Sequence, residues 1–108
     1  MDLVVASYRV SRRLPPSERF ELASQIRRSA TSIPANIAEG YAQIHRGNYI
    51  RHLSIARGSA AELETHLDVC QRLGYTESHD VGAARELVDH VSRMLTAMLL
   101  RMRLDPPR

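Results

Sequence analysis

Residues 25–41 have the sequence QIRRSATSIPANIAEGY, and residues 55–67 have the sequence IARGSAAELETHL. In the first stretch, apolar residues recur every three or four positions, as one face of a helix requires, at Ile26, Ala30, Ile33, Ile37 and Tyr41. Pro34 predicts a kink, because an interior proline removes a backbone hydrogen bond and clashes with the preceding turn. Gly58 and Ser59 interrupt the second pattern, so another backbone is expected close by. We expect the two stretches to form a central helix pair with a polar cluster where they cross.

The composition predicts a single all-α domain over residues 1–108. The chain has no Trp and one Phe, so its core must be aliphatic, and alternating runs of β-branched residues are missing. The one cysteine, Cys70, excludes an internal disulfide and fits a reducing cytoplasm. No apolar run approaches the roughly 18 residues that span a bilayer. We therefore expect a cytoplasmic protein that does not bind membranes.

Four amphipathic helices are predicted, at about residues 2–13, 17–44, 48–73 and 79–104. Ser17 and Asn48 stand where caps of the second and third helices are expected. The third helix has apolar steps of three and four, a heptad seam, at Leu53, Ala56, Ala60, Leu63, Leu67 and Cys70. The fourth repeats the seam at Val81, Ala84, Val88, Val91, Leu95, Met98 and Met102. Short loops between such helices predict an antiparallel up-down-up-down four-helix bundle.

Three apolar residues of the fourth helix lie off this seam: Met94, Leu99 and Leu100. A monomer would leave them in water, and contiguous exposed apolar surface usually marks an association site. The sequence therefore predicts a homo-oligomer that uses the fourth helix.

The charge is uneven along the chain, and every basic residue is an arginine. Residues 1–60 hold nine Arg and four acids, a balance of +5, whereas residues 61–108 hold six Arg and eight acids, a balance of −2. A basic front half indicates a polyanionic partner, RNA or DNA; the alternative is a solvated surface. The candidate phosphate contacts are Arg9, Arg12, Arg13, Arg19, Arg27, Arg28, Arg46 and Arg51. We expect no aromatic stacking platform, so binding should be mainly electrostatic.

The sequence has no recognisable catalytic constellation. It lacks a Gly-rich phosphate loop, a nucleophile elbow, zinc-ligand spacing and the Glu-x-x-His pattern of bundle di-metal sites, so we expect no enzyme, metal or cofactor. Glu39 has two interpretations: a proton-transfer carboxylate, or a core residue paired with Arg27 or Arg57. The second is favoured, because buried charges need a partner. Cys70 is expected to be a small buried hydrophobe. A helix-turn-helix repressor is disfavoured, because the helices are too long.

The sequence also resembles a known family. LPPSERFELASQIRRSATSIPANIAEGYAQ (residues 14–43) and NYIRHLSIARGSAAELETHL (residues 48–67) look like the signature of the four-helix-bundle proteins named after the rRNA intervening sequences that encode some of them. Two long motifs carry the resemblance, SIPANIAEG at residues 32–40 and ARGSAAEL at residues 56–63. The residues that match the family's motifs, which we interpret as architectural, are Pro34, Asn36, Glu39, Gly40, Arg57, Gly58, Ser59 and Glu62.

The resemblance implies a ring-like homopentamer with a basic surface, and most members have no established biochemical activity. The same fold group is similar to the accessory variability determinant of diversity-generating retroelements, which binds nucleic acid and assists a reverse transcriptase. The first helix is expected to be shorter than in relatives.

Two functions from different classes remain open. The first is a non-enzymatic oligomeric accessory protein for RNA or a ribonucleoprotein, with DNA or a reverse transcriptase as further candidate partners. The alternative is a protein–protein interaction scaffold with no nucleic-acid role, whose arginines serve solubility and ion pairs. Fold is easier to argue from sequence than function.

Overall fold

The computed structural model of the protein describes residues 2–76 and 78–104. Its α-helices are α1 (Asp2–Arg12), α2 (Leu22–Tyr41), α3 (Arg46–Leu73) and α4 (Ser78–Leu104), and a short 3₁₀ turn at Pro16–Glu18 precedes α2. No strand occurs in the described residues, so the predicted all-α class is confirmed.

The four helices surround one core. Helix α2 packs against α1 and α3, and α4 packs against α3 and α1, whereas α1 and α3 do not meet within the described ranges. This is the predicted four-helix bundle, with dimensions of 50 × 21 × 18 Å. With 28 residues, α3 is about 42 Å long, and α1 with 11 residues is about 16 Å long, so α1 covers only part of its neighbours. None of the helices in residues 2–76 and 78–104 combines the length and apolarity that crossing a bilayer requires.

The seam predicted on α3 forms the centre of the core. All six of its residues are fully buried: Leu53, Ala56, Ala60, Leu63, Leu67 and Cys70. They pack with aliphatic residues of the other helices, which confirms the expected aliphatic core. Burial raises the pKa of the Cys70 thiol to about 11, with a smaller contribution from the negative charge of Glu18. Cys70 is therefore the buried hydrophobe that the sequence predicted, and its thiolate is disfavoured.

On α4 the core stripe departs from the predicted seam near the C-terminal end. Leu95 is fully buried and Leu99 is 8% exposed, whereas Met98 is only partly buried. A step of four from Leu95 keeps Leu99 on the side of α4 that faces the other helices. The prediction that Leu99 lies on an exposed flank is therefore wrong.

The corner before α2 also differs from the prediction, because the helix begins at Leu22 and not at residue 17. Ser17 lies inside the 3₁₀ turn, and Glu21 precedes α2 without a side-chain cap. The amide of Glu18 donates to the carbonyl of Pro15 at 2.9 Å, which closes a tight turn. The predicted cap at Ser17 is wrong, since the two prolines start a 3₁₀ turn that is too tight to continue as an α-helix.

Helix α3 begins at Arg46, two residues before the predicted start. The amides of Asn48 and Tyr49 both donate to the carbonyl of His45, at 3.1 and 3.2 Å. Asn48 therefore lies inside the first turn, and the prediction that it caps α3 is wrong.

The close approach of α2 and α3 occurs at Gly40. This glycine is buried, and a Cβ atom added to it would lie 3.0 Å from Cδ1 of Tyr49 and 3.4 Å from Cβ of His52. Gly58, by contrast, is exposed and has nothing within 4 Å of such a Cβ atom. The prediction that another backbone of the same chain comes close at Gly58 is therefore wrong. Helix α2 continues through Pro34 as one element, and its bend stays a prediction.

Candidate nucleic-acid interface

The exposed corner between α1 and α2 brings four of the predicted arginines together. Arg9 and Arg12 lie on a shallow surface of α1 beside Val4, Val5 and Tyr8. Arg12 also lines a neighbouring groove of about 320 Å³ with Arg19 and Arg27, formed by the end of α1, the Pro15–Pro16 turn and the start of α2. Because Arg12 borders both, the surface is continuous. We call this surface, defined by Arg9, Arg12, Arg19 and Arg27, the arginine groove.

The arginines of this groove are not committed to carboxylates. None of the four forms an ion pair within the described part of the chain, and Arg27 only donates to the backbone carbonyl of Arg19, at 3.4 Å. Three arginines of the second half differ, because Arg72, Arg85 and Arg93 each lie within 3.5 Å of an aspartate. Guanidinium groups without a carboxylate partner are free to donate to phosphate oxygens.

The other predicted arginines lie elsewhere or have protein partners. Arg13 forms an ion pair with Asp80 at 3.0 Å, which ties the end of α1 to the start of α4. Arg46 donates to the carbonyl of Met102 at the far end of the bundle. Arg28 lines a separate groove between α2 and α3, and Arg51 is exposed on α3. The structure therefore brings together only half of the eight candidates.

A hydrogen-bonded polar cluster joins α2 to α3, which confirms the predicted cluster at their crossing. The Oγ atoms of Ser32 and Ser59 lie 2.8 Å apart. The Nδ2 group of Asn36 donates to the carbonyl and the Oγ of Ser32, at 2.8 and 3.0 Å. Since Nδ2 of Asn36 is a donor, its Oδ1 accepts from Nδ1 of His52 at 3.2 Å, so Nδ1 carries a proton. These contacts hold two helices together and involve neither a carboxylate nor a thiol.

Glu39 does not occupy the position expected for it. The residue is exposed, so it is neither a core residue nor a buried carboxylate. Arg57 instead donates from Nε to Oγ1 of Thr96 at 3.0 Å, and Arg27 contacts the backbone of Arg19. Both interpretations of Glu39 are therefore wrong. Among residues 2–76 and 78–104, no three His, Cys, Asp or Glu side chains are placed to hold a metal ion.

An exposed aromatic ring that the sequence did not single out lies next to the groove. Phe20, the chain's one phenylalanine, is 82% exposed, and the guanidinium carbon of Arg19 lies 5.5 Å from its ring centroid. The expectation that the surface carries no aromatic stacking platform stays a prediction, and Phe20 is the residue on which it can be tested. The signal that could have found it is the Pro-Pro pair, because a tight turn there shifts Phe20 out of the helical stripe that residues 17–44 were expected to form.

The three predicted interface residues do not share one face. Met94 is 43% exposed and lines an apolar groove with Pro34, Ile37 and Val91. Leu100 is 52% exposed and lines a different groove between α3 and α4, beside Gly58. Leu99 is buried. The chain thus has two separate partly apolar surfaces on α4.

A known protein family matches most of this chain. Residues 1–97 match the sequence model of a family described as 23S rRNA-intervening sequence protein. The chain belongs to this family. The match covers both SIPANIAEG and ARGSAAEL, so the hydrogen-bonded cluster of α2 and α3 lies within the family's own region.

A solved structure supports the family's fold for this chain. The crystal structure of a protein of unknown function from the S23 ribosomal protein family of Bacteroides thetaiotaomicron is similar to it, with a TM-score of 0.83 and 26% sequence identity. The similarity covers 91% of this chain and 92% of that protein. No curated protein matches the chain.

Proposed function

We propose that this protein is a non-enzymatic accessory protein that binds RNA, alone or within a ribonucleoprotein, through phosphate contacts of the arginine groove. The observation that carries the proposal is the grouping of Arg9, Arg12, Arg19 and Arg27 on one surface without ion-pair partners in the described residues. Family membership favours RNA, since the family's description refers to 23S rRNA. Guanidinium groups bind phosphate by two parallel hydrogen bonds, which suits such a surface to a nucleic-acid backbone.

The test of this proposal is a salt titration of RNA binding. Each arginine that neutralises a phosphate of a single strand contributes about 0.7 to the slope of log affinity against log salt. With a labelled RNA of about 20 nucleotides and fluorescence anisotropy, the double variant Arg12→Gln/Arg27→Gln should bind more weakly at low salt, and its slope should be smaller by about 1.4 per subunit engaged.

The matched control is Arg85→Gln/Arg93→Gln, which removes the same charge from arginines that contact Asp68 and Asp89. It should leave the slope unchanged. No binding by the unchanged protein at low salt, or a flat titration, would refute the proposal. If another protein co-purifies in place of RNA, and substitution of surface residues removes that protein, the protein-binding scaffold is favoured.

The second part of the proposal is self-association. Met94 and Leu100 expose apolar side chains in two different grooves, and exposed apolar patches of this kind mark association surfaces. Two different surfaces fit a head-to-tail contact, in which one surface of each copy meets the other surface of the next. Such contacts close into a ring when the rotation between copies allows it. A ring would carry one arginine groove per copy.

Sedimentation analysis tests the self-association directly. At micromolar concentration the protein should sediment as a multiple of its 12.2 kDa chain. Met94→Ser and Leu100→Ser should each shift the distribution toward smaller species, since each removes an apolar contact from one of the two surfaces. Ile44→Ser, a change at an exposed apolar residue outside both grooves, should have no effect. A mass of one chain for the unchanged protein would contradict self-association.

A further inference from the structure

Phe20 is placed where an aromatic ring has no partner in the core. It lies between the 3₁₀ turn and the start of α2, and it is flanked along the chain by Leu14 and Leu22, which are 8% and 9% exposed. The turn therefore buries the apolar residues on both sides while leaving the ring 82% in solvent. A single exposed apolar residue is ordinary on a protein surface, so the exposure alone carries no function.

The surroundings of the ring distinguish it from other exposed apolar residues. The guanidinium of Arg19 lies over the ring at 5.5 Å, and the same Arg19 lines the arginine groove with Arg12 and Arg27. The ring is thus next to the groove, with little protein covering it. Ile44, which is 94% exposed, has no such setting, because it lies beyond the other end of α2, about 30 Å away.

The acidic residues beside the ring are few. Glu18 lies close enough to Tyr75, just beyond the end of α3, for its carboxylate to raise the pKa of the Tyr75 phenol. Glu21 is exposed and is the other acid of this corner. The four arginines of the groove against these two glutamates give a balance of +2, so the potential around Phe20 favours an anion.

We propose that Phe20 is a stacking platform for one unpaired base of single-stranded RNA, whose adjacent phosphates bind in the arginine groove. This inference rests on the proposed function and names its substrate class. Bases in an A-form duplex are stacked on each other, and their faces cannot reach a side chain, whereas unpaired bases stack readily on aromatic rings and guanidinium planes. A ring without hydrogen-bonding groups reads no base edge, so binding should tolerate any sequence.

The test compares Phe20→Ala with the unchanged protein on a single-stranded RNA of about 20 nucleotides and on a duplex RNA. Phe20→Ala should weaken single-strand binding about 5- to 150-fold, the range for loss of one stacked base, and should leave duplex binding unchanged. The salt slope should not change, because no charge is removed. Ile44→Ala is the matched control for loss of an exposed apolar side chain and should bind like the unchanged protein.

Phe20→Trp supplies a second readout that does not depend on affinity. The chain has no tryptophan, so the new indole is the only one, and stacking of a base should quench its emission. Quenching by single-stranded RNA and none by duplex RNA is the expected result. Circular dichroism should show the same helical content in all variants, because Phe20 is outside the core.

The outcomes separate this inference from the proposed function. If the unchanged protein binds RNA with a steep salt dependence but Phe20→Ala binds the single strand equally well, the stacking platform is refuted and the phosphate groove stands. If Phe20→Ala weakens single-strand and duplex binding equally, the ring supports the groove structurally and the inference is also overturned. If the unchanged protein binds neither RNA at low salt, both fail.

Discussion

Leu63→Ala should lower the free energy of unfolding by about 2–5 kcal/mol, the range for truncation of a buried leucine. Leu63 is fully buried and lies at the middle of the α3 seam, between Ala60 and Leu67. The change removes apolar burial and leaves a cavity, because helices packed on several sides collapse only partly around the missing atoms. Small domains are stable by about 5–15 kcal/mol in total, so this one substitution removes a large share.

Urea unfolding followed by circular dichroism measures this effect. The midpoint should fall while the denaturant dependence stays the same, since the surface exposed on unfolding hardly changes. The matched control is Leu73→Ala at the end of α3, where the side chain is 55% exposed, and its effect should stay within about 0.5 kcal/mol. Both are compared at one low protein concentration, because self-association adds to apparent stability. Equal effects of the two substitutions would mean that the α3 seam does not face the core.

Gly40→Leu should destabilise the bundle by about 1–3 kcal/mol through overpacking, offset by less than about 1 kcal/mol of gained helix propensity. The first added atom would already lie 3.0 Å from the Tyr49 ring, and the rest of the leucine has to displace that ring or separate α2 from α3. The close approach therefore explains why a helix former is absent from this buried position.

Gly82→Leu is the control, because Gly82 lies inside α4 with nothing within 4 Å of an added Cβ atom and lines neither of the two grooves proposed for self-association. It should raise the free energy of unfolding by up to about 1 kcal/mol, since leucine favours helix over glycine. A double-mutant cycle identifies the clashing group: Tyr49→Ala should lessen the penalty of Gly40→Leu, because the two positions share one contact. A penalty of the same size with and without the Tyr49→Ala substitution would place the clash elsewhere.

Much of the fold follows from local patterns. The α3 seam from Leu53 to Cys70 was predictable because apolar steps of three and four define one helical face whatever that face packs against. A polar cluster at the crossing of α2 and α3 was predictable for a second reason: polar residues that interrupt two apolar stripes must form hydrogen bonds with each other when the helices pair. Its members, Ser32, Asn36 and Ser59 among them, came from the structure.

The errors concern properties that depend on how the helices pack against each other. Ser17 and Asn48 are good capping residues, but the chain direction at each corner depends on how the next helix packs, and the helices begin at Leu22 and Arg46. Leu99 is buried on the side of α4 that packs against α3, one turn beyond Leu95, a position that a strict heptad does not mark as core. Glu39 lies inside an apolar stretch yet is exposed, since only part of the circumference of α2 is covered.

In the candidate site, too, some features follow from the sequence and others only from the packing of the helices. Composition alone determined that this protein has a basic first half made only of arginines, and periodicity determined that it is a helical bundle with an aliphatic core. Only the tertiary structure decided that Arg9, Arg12, Arg19 and Arg27 share one surface, that Arg13 is paired with Asp80, and that Phe20 faces solvent. The physical reason is that the apolar period of a helix is encoded within one segment. The burial of a single side chain and the neighbours of a surface charge depend on other segments, such as α1 where it packs against α2.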